Sequence, residues 1–269
     1  MSSPNEPRIP APSGQGVVKT LAVMQPGYLP WLGFFDKARL CDVFVIYDSV
    51  QYVKNDFHNR NRIRSLDDWT WLTVPVQAQG FPAIADVKID NARLWGRKHA
   101  ATIRQAYGKA PYFGDYWEDI EGLLGQQWDR LVDLQMGFIR LHLDWLGFRP
   151  RVVMASSLPI ESEDRNLKLV EMCQLFGATT YLSGDVAKDY LDVSLFAAVG
   201  VEVKWQGWLN PVYPQFREGF MPQLAVIDLL MNCGKESSKY FEGASQVPVV
   251  RNPVLMPNGG ELGVTGVGC

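Results

Sequence analysis

The chain has few cysteines, and they lie far apart. Its 269 residues include Cys41, Cys173, Cys233 and Cys269, with no CxxC pair and no histidine nearby at the spacing of metal ligands. These spacings argue against a structural zinc site and favour a reducing compartment. We therefore expect a protein that uses neither a metal nor another cofactor.

An excess of basic charge is also absent. The chain has 26 Lys and Arg against 29 Asp and Glu, a net charge of -3. Proteins that hold nucleic acid by broad electrostatic attraction usually carry a basic face, so we expect no such partner. No apolar run reaches the roughly 20 residues that span a bilayer, and residues 1–16 lack the apolar core of a secretion signal. These absences predict a cytoplasmic protein with no membrane partner.

Length and composition predict one folded unit. A content of 47% hydrophobic and 20% charged residues is ordinary for a globular protein. Residues 1–16 and the tail 251–269 lack hydrophobic periodicity, and we expect both to be flexible. Residues 17–250 are predicted to form a single α/β domain with a helical insertion at about 95–147.

The strands of this domain are predicted from short apolar runs. Residues 21–24 and 43–47 flank a helical segment at 31–40, which indicates a parallel β-α-β unit with a right-handed crossover. Further strands are predicted at 69–76, 87–90, 152–154, 180–182 and 201–205, with helices at 165–176 and 222–233. The fold class is therefore α/β, a Rossmann-like layered sheet, parallel or mixed, with an inserted helical subdomain.

The helical insertion carries apolar residues three and four positions apart, which is typical of amphipathic helices. Its tryptophans and tyrosines are assigned to the core. His99 and His142 lie in these helical stretches, and we assign no function to either.

A first candidate site follows the first strand. Gln25 and Tyr28 open a loop, stiffened by proline and glycine, that leads into a helix. Ligands of open α/β sheets bind at the carboxyl ends of strands, where helix N-termini attract anions. The alternative is that Pro30 only starts the helix while Tyr28 and Trp31 close the core.

A second candidate is the polar cluster at residues 48–64. Its members are Asp48, Gln51, Tyr52, Lys54, His58, Asn59, Arg60, Asn61 and Arg62. Amides and guanidiniums suit the fork-like recognition of phosphate or carboxylate oxygens, which predicts a small-molecule site. The alternative is a solvated loop or hairpin whose charges pair with Asp56, Asp67 and Asp68.

A third candidate follows the strand at 180–182. Ser183 and Gly184 begin a predicted helix and expose backbone N–H groups, with Lys188 about one turn later, as in an anion site. A plain strand-to-helix turn has the same features. Arg165 and Gln206 are weaker candidates for the same crevice. The aromatic stretch 205–220 is either a lid or a packed loop.

Taken together, these motifs resemble the WbqC-like family, which is associated with bacterial O-antigen and natural-product gene clusters. The resemblance covers roughly residues 18–240. It depends on the segments 25–35, 51–63, 71–76 and 181–191. The family usually has an aromatic residue and then an arginine before Asn-Arg-Asn, where this chain has Phe57 and His58.

The resemblance implies a cytoplasmic enzyme that adds an acyl or aminoacyl group to an amine, such as an amino sugar nucleotide. Arg60, Arg62 and Lys54 would then neutralise a pyrophosphate, and Asn59 and Asn61 would bind sugar hydroxyls.

The base that deprotonates the amine would be Asp48 or His58. A cysteine thioester is disfavoured by the apolar settings of the cysteines, so direct transfer from the donor, free or carrier-bound, is the simpler scheme.

Two other functions remain open. One is an ATP-dependent ligase of α/β nucleotide-binding type, although the sequence contains no GxxxxGK[ST] motif. The other is a non-catalytic ligand-binding protein of a glycan assembly pathway.

Overall fold

The computed structural model describes residues 18–66 and 68–245, in which strands and helices alternate. In chain order the elements are β1 (Thr20–Met24), α1 (Leu32–Arg39), β2 (Val43–Ile46), β3 (Arg60–Arg64), β4 (Trp69–Thr73), β5 (Val76–Gln77), β6 (Lys88–Ile89), α2 (Trp95–Tyr107), α3 (Phe113–Gly125), α4 (Leu131–Leu146), β7 (Arg151–Met154), α5 (Arg165–Phe176), β8 (Thr180–Ser183), α6 (Val193–Ala198), β9 (Glu202–Trp205) and α7 (Val226–Cys233). The predicted flexible ends, 1–16 and 251–269, lie outside the described residues.

The central sheet has five strands in the order β7-β2-β1-β8-β9, and every neighbouring pair is parallel. At its centre, Ala22 of β1 pairs with Phe44 of β2 on one side and with Leu182 of β8 on the other. The prediction of an α/β layered fold is confirmed. Because the chain leaves β1 first toward β2 and later returns to β8, the order reverses between β1 and β8.

Helices cover both faces of the sheet. Side chains of a strand alternate between faces, so Ala22 and Phe44 pack in the core that contains α1, α4 and α7. Leu21 and Val43 point the other way, into a smaller core with α5 and α6. Burial on both faces explains why these strands are continuous apolar runs.

A separate antiparallel hairpin contains much of the polar cluster. β3 pairs with β4, with Arg60 opposite Thr73, and the hairpin does not join the central sheet. The prediction of one strand at 69–76 is wrong in extent, since β4 ends at Thr73 and β5 begins at Val76. Pro75 lies between them, and proline cannot donate to a strand ladder.

The helices of the insertion lie where periodicity predicts them, whereas the last helix differs in extent. The insertion contains α2, α3 and α4, as predicted, but the last helix begins at Val226 rather than at residue 222. The residues before it are extended, because Ala225 pairs with Trp31 in an isolated bridge and its N–H donates to the Arg62 carbonyl.

His142 on α4 is a fully buried polar side chain. Neither ring nitrogen has a hydrogen-bond partner within the described part of the chain, and the ring is surrounded by Phe35, Phe138 and Trp145. Burial lowers the pKa of His142 to about 3. The side chain is therefore neutral at pH 7 and acts as a core residue.

We expect His142→Phe to raise the free energy of unfolding at pH 7 by about 1–3 kcal/mol, because it removes two unpaired polar atoms from an aromatic setting. The gain should grow in acid. Between the folded pKa of about 3 and an unfolded pKa of about 6.5, the unfolded state binds the extra proton, so this histidine lowers stability by about 1.4 kcal/mol per pH unit as the pH falls. Urea denaturation at pH 7.5 and pH 5.5 measures both effects. If the difference in the free energy of unfolding between variant and wild type did not change with pH, His142 would not have a lowered pKa in the folded protein.

Candidate functional site

A cleft opens where the strand order reverses. It has a volume of about 750 Å³ and is bordered by Met24 and Gln25 after β1 and by Ser183 and Gly184 after β8. We call it the switch-point cleft. Doubly wound sheets bind their ligands at this position.

The walls of the switch-point cleft combine aromatic rings with charges. The aromatic residues are Trp31, Tyr47, Tyr181, Tyr190 and Trp208, and the charged ones are Lys37, Glu163, Arg165, Lys168 and Asp185. Arg165 stacks 4.1 Å from the centre of the Tyr190 ring and donates to the Tyr190 carbonyl at 3.3 Å. Rings and cations together suit a planar or sugar-like ligand that carries an anionic group.

Lys37 is a cleft residue that sequence reasoning missed. It lies on α1, is only 4% exposed, and lines the cleft beside Gly184. Burial lowers the pKa of Lys37 to about 8. The sequence LGFFDKAR carries no clear signal of this, although seven of the eight α1 residues are buried in the structure.

Lys188 lies beside the cleft rather than in its wall. Its ammonium pairs with Asp185 at 2.6 Å and lies 5.7 Å from the centre of the Trp205 ring. Asp185 also accepts from the N–H of Trp208 at 3.3 Å. The segment Asp185–Asp189 is a short 3-10 helix, not the start of a longer helix as predicted.

A smaller cavity of about 190 Å³ adjoins the cleft. Met24, Gln25 and Trp31 line both spaces, while His58 and Asn61 line only the smaller one, which we call the side cavity. The exposed Gln25 side chain therefore lies at the junction of the two.

His58 fixes the orientation of Gln25. Its Nδ1 accepts from the Val53 N–H at 3.2 Å, which assigns the ring proton to Nε2, and Nε2 donates to Gln25 Oε1 at 2.9 Å. Burial lowers the pKa of His58, so the ring is neutral at pH 7. Both nitrogens are engaged, and a general base needs a free lone pair. The geometry favours a positioning role over the predicted base.

Asp48 follows β2 and lies next to the cleft residue Tyr47, but it lines neither cavity itself. Its carboxylate is 1% exposed and accepts from the Ser156 N–H at 2.9 Å and from Ser156 Oγ at 2.6 Å. It thus ties β2 to the turn after the neighbouring strand β7. The structure does not bring Asp48 into contact with the cleft, and the predicted role of base has no geometric support.

The polar cluster is divided between two faces by the alternation of β3. Asn59 and Asn61 point inward and donate to the carbonyls of Val74 and Leu29, both at 2.7 Å. Arg60 and Arg62 point outward. Arg60 stacks 4.3 Å from the Trp71 ring centre. The asparagines predicted to bind sugar hydroxyls and the arginines predicted to neutralise a pyrophosphate therefore lie on opposite sides of the strand.

Arg60 also donates to the Asn55 carbonyl, and Arg62 donates to the Gln223 carbonyl at 3.2 Å. Neither arginine lines either cavity.

The remaining predicted residues lie in the core or on the surface. Tyr28 is fully buried, and its hydroxyl is paired with His99 Nδ1 at 2.9 Å. Tyr52 is 6% exposed, with its ring 5.6 Å from that of His58. Gln51 and Lys54 are exposed, and neither lines a cavity.

The fold and the cleft define a doubly wound α/β protein with two adjoining cavities at the switch point of its sheet. The chain belongs to the WbqC-like protein family, whose model matches residues 25–240. It is also 33% identical, over 236 residues, to an uncharacterized protein, Rv1507c, of Mycobacterium tuberculosis (strain ATCC 25618 / H37Rv). That match covers 85% of this chain and 100% of the relative. No solved structure was found to match the chain.

No helix within residues 18–66 and 68–245 has the length and apolarity that crossing a bilayer requires.

Proposed function

We propose that the protein is a transferase that forms an amide between an acyl or aminoacyl group and a small polar amine, such as an amino sugar nucleotide. The observation that carries this proposal is the pair of adjoining cavities that meet at Gln25. A group transfer needs two reactants held in contact, and two compartments with a shared border supply that arrangement.

The larger compartment is assigned to the amine-bearing substrate. Its volume of about 750 Å³ lies within the range of small-molecule sites, and its aromatic walls can stack on a base or sugar ring. Arg165 and Lys168 also line it and supply positive charge for a phosphate or carboxylate. These two cations take the place of Arg60 and Arg62 in the sequence-based scheme.

The side cavity is assigned to the group that is transferred. At about 190 Å³, and bordered by Pro26, Gly27, Pro30 and Phe34, it suits a small acyl or aminoacyl group. The rest of the donor, free or attached to a carrier, would enter from the mouth of the site.

Gln25 is the residue proposed to act on the acyl carbonyl. Its own carbonyl oxygen is held by His58, and among the residues that the structure describes none accepts a hydrogen bond from its amide nitrogen. That N–H can donate to the acyl oxygen, where negative charge develops as the amine attacks. The unprotonated amine nitrogen then bonds to the acyl carbon, and the bond to the leaving group breaks with its electron pair passing to the leaving group. The proton that the amine loses goes to that leaving group or to solvent water.

The cysteines support direct transfer. Cys41, Cys173 and Cys233 are buried and line neither cavity. Burial raises the pKa of Cys173 to about 12 and that of Cys233 to about 11, so neither carries a reactive thiolate at pH 7.

A second candidate is the ATP-dependent ligase. It is favoured by the position of the cleft, because the switch point of a doubly wound sheet is a common nucleotide site. Release of ADP or pyrophosphate during amide formation would distinguish it from the transferase.

The proposal is tested by thermal shift and mass spectrometry with amino sugar nucleotides, their hydroxyl analogues and acyl donors. We expect stabilisation by an amino sugar nucleotide and formation of its amide when a donor is added. Arg165→Ala should weaken binding by about 10- to 100-fold, the value of a charge-assisted contact, whereas Arg60→Ala should leave it unchanged because Arg60 lies outside both cavities. If the two variants lost equal binding affinity, the assignment of the substrate to the switch-point cleft would be contradicted. Binding without amide formation with any donor would favour the non-catalytic function.

A further inference from the structure

Lys37 presents a nearly buried ammonium to the switch-point cleft. The side chain is 4% exposed, and the residue borders the cleft together with Met24 and Gly184. Among residues 18–66 and 68–245, its Nζ has one hydrogen-bond partner, the sulfur of Met24 at 3.5 Å, which is a weak acceptor. Within the described ranges, no carboxylate forms an ion pair with this amine.

The carboxylates nearest to Lys37 already have other cationic partners. Asp36, the preceding residue on α1, pairs with Arg39 at 2.8 Å and accepts from Gln206 at 2.8 Å. Asp185, after β8, pairs with Lys188 at 2.6 Å. The Cys41 thiol is the other titratable group that acts on the amine, and burial raises its pKa so that it carries no charge at pH 7. Lys37 therefore lacks a dedicated counter-ion.

Gly184 keeps the space beside the amine open. A Cβ placed on Gly184 would lie 3.1 Å from Lys37 Nζ, closer than nearly all real Cβ contacts. The absence of a side chain there lets a ligand atom approach the amine from the carboxyl end of β8.

Burying an ammonium without a counter-charge is unfavourable, and proteins retain such groups mainly at functional sites. Desolvation is the largest cause that lowers the pKa of Lys37 to about 8. An anionic oxygen from a ligand would restore the missing counter-charge and raise this pKa again.

We propose that Lys37 Nζ binds an anionic oxygen of the ligand, from a phosphate or a carboxylate, at the meeting point of β1, α1 and β8. The ligand class of the cleft is then an organic anion. The inference deepens the proposed function, because it assigns the anionic group of the substrate to one amine, with Arg165 and Lys168 as further cations in the same cleft.

Competitive acetylation of the full wild-type chain tests this directly. Lysines are labelled near pH 8 with trace acetic anhydride, and the labelling of each is measured by mass spectrometry. We expect inorganic pyrophosphate or malonate to slow acetylation of Lys37 by about tenfold, the size of one charge-assisted contact, while potassium chloride at equal ionic strength does not. The exposed Lys98 on α2 is the internal reference. A Lys37 rate that neither anion changes would overturn the proposal. Protection by only one of them identifies the anion class and supports it.

Matched variants provide a second readout. Lys37→Met should bind pyrophosphate about tenfold more weakly yet be at least as stable to urea, because it replaces an unpaired buried charge by an apolar chain of similar length. Lys98→Met, at an exposed position on α2 that lines neither cavity, should bind it normally. Pyrophosphate binding by Lys37→Met with the affinity of the wild type overturns the proposal, since Arg165 and Lys168 would then suffice.

The labelling experiment uses only the wild-type chain, so its result stands even where a variant fails to fold. Protection of Lys37 without amide formation would refute the transferase but not the anion site. Amide formation without protection of Lys37 would support the transferase and refute the anion site.

Discussion

Replacing Asp228 by alanine is expected to lower the free energy of unfolding by about 3–5 kcal/mol. Asp228 lies on α7, is 1% exposed, and accepts from the hydroxyls of Tyr107 and Tyr213, both at 2.9 Å, and from Gln215 Nε2 at 2.7 Å. Alanine would leave three donors without their acceptor, and a buried unsatisfied donor costs about 1–3 kcal/mol.

The same network links distant parts of the chain. The Tyr107 hydroxyl also accepts from the N–H of Arg64 at 3.0 Å, which connects α7 and α2 to the hairpin strand β3. Tyr213 and Gln215 belong to the aromatic stretch 205–220, so Asp228 holds that stretch against α7. This favours a packed segment over a mobile lid.

Urea denaturation measures the loss, and two variants calibrate it. Tyr213→Phe removes one donor and should cost about 1 kcal/mol. Asp144→Ala breaks an exposed pair with Arg149 and should cost less than about 1 kcal/mol. If Asp228→Ala were no less stable than Asp144→Ala, the network would not hold the fold together as described.

The central sheet was predictable because its strands are buried on both faces. A strand that is buried on both faces, such as Val43–Ile46, is a continuous apolar run whatever packs against it. The segment between two such runs indicates a crossover helix. The rule that ligands bind at the carboxyl ends of strands pointed to Gln25 and to Ser183 and Gly184 as separate candidates, and the structure places all three in the lining of one cleft.

The rest of the site depends on the direction in which each side chain points, and the closeness of polar residues in the sequence does not reveal that direction. The polar cluster was treated as one site because its residues are adjacent, but adjacent residues of a strand face opposite ways. Once β3 is known, Asn61 falls on the side of the cavity and Arg60 and Arg62 on the side of Trp69 and Trp71. Alternation in this stretch was hard to recognise because both faces are polar.

Lys37 was missed because a single lysine among apolar residues does not stand out as part of a site. A lysine within an apolar helix is ordinarily expected to extend its amine to solvent. Only the packing of α1 between β1 and the turn after β8 shows that this amine stays inside.

We expect His58→Ala and Gln25→Ala each to reduce amide formation by about 100-fold, because the proposed carbonyl donor is lost in one variant and loses its orientation in the other. The double variant should also lose about 100-fold in the rate of amide formation and no more, because substitutions of residues that act as a unit are strongly non-additive. Gln25→Glu should be as inactive as Gln25→Ala, because a carboxylate can still accept from His58 but cannot donate to the acyl oxygen. The measurement is the rate of amide formation at saturating donor.

The pH dependence separates positioning from base catalysis. Burial lowers the pKa of His58. Nε2 carries a proton in both the neutral and the protonated ring, so a positioning histidine keeps its bond to Gln25 as the pH falls. The ratio of the wild-type to the His58→Ala rate should then stay constant from about pH 9 down through the range in which the ring gains its second proton. Any titration of Lys37 affects both proteins equally and cancels in the ratio. If His58 were the general base, the wild-type rate alone would fall as the ring gained a proton, and the ratio would shrink toward acid. Because both ring nitrogens already have partners in Val53 and Gln25, the constant ratio is the expected result.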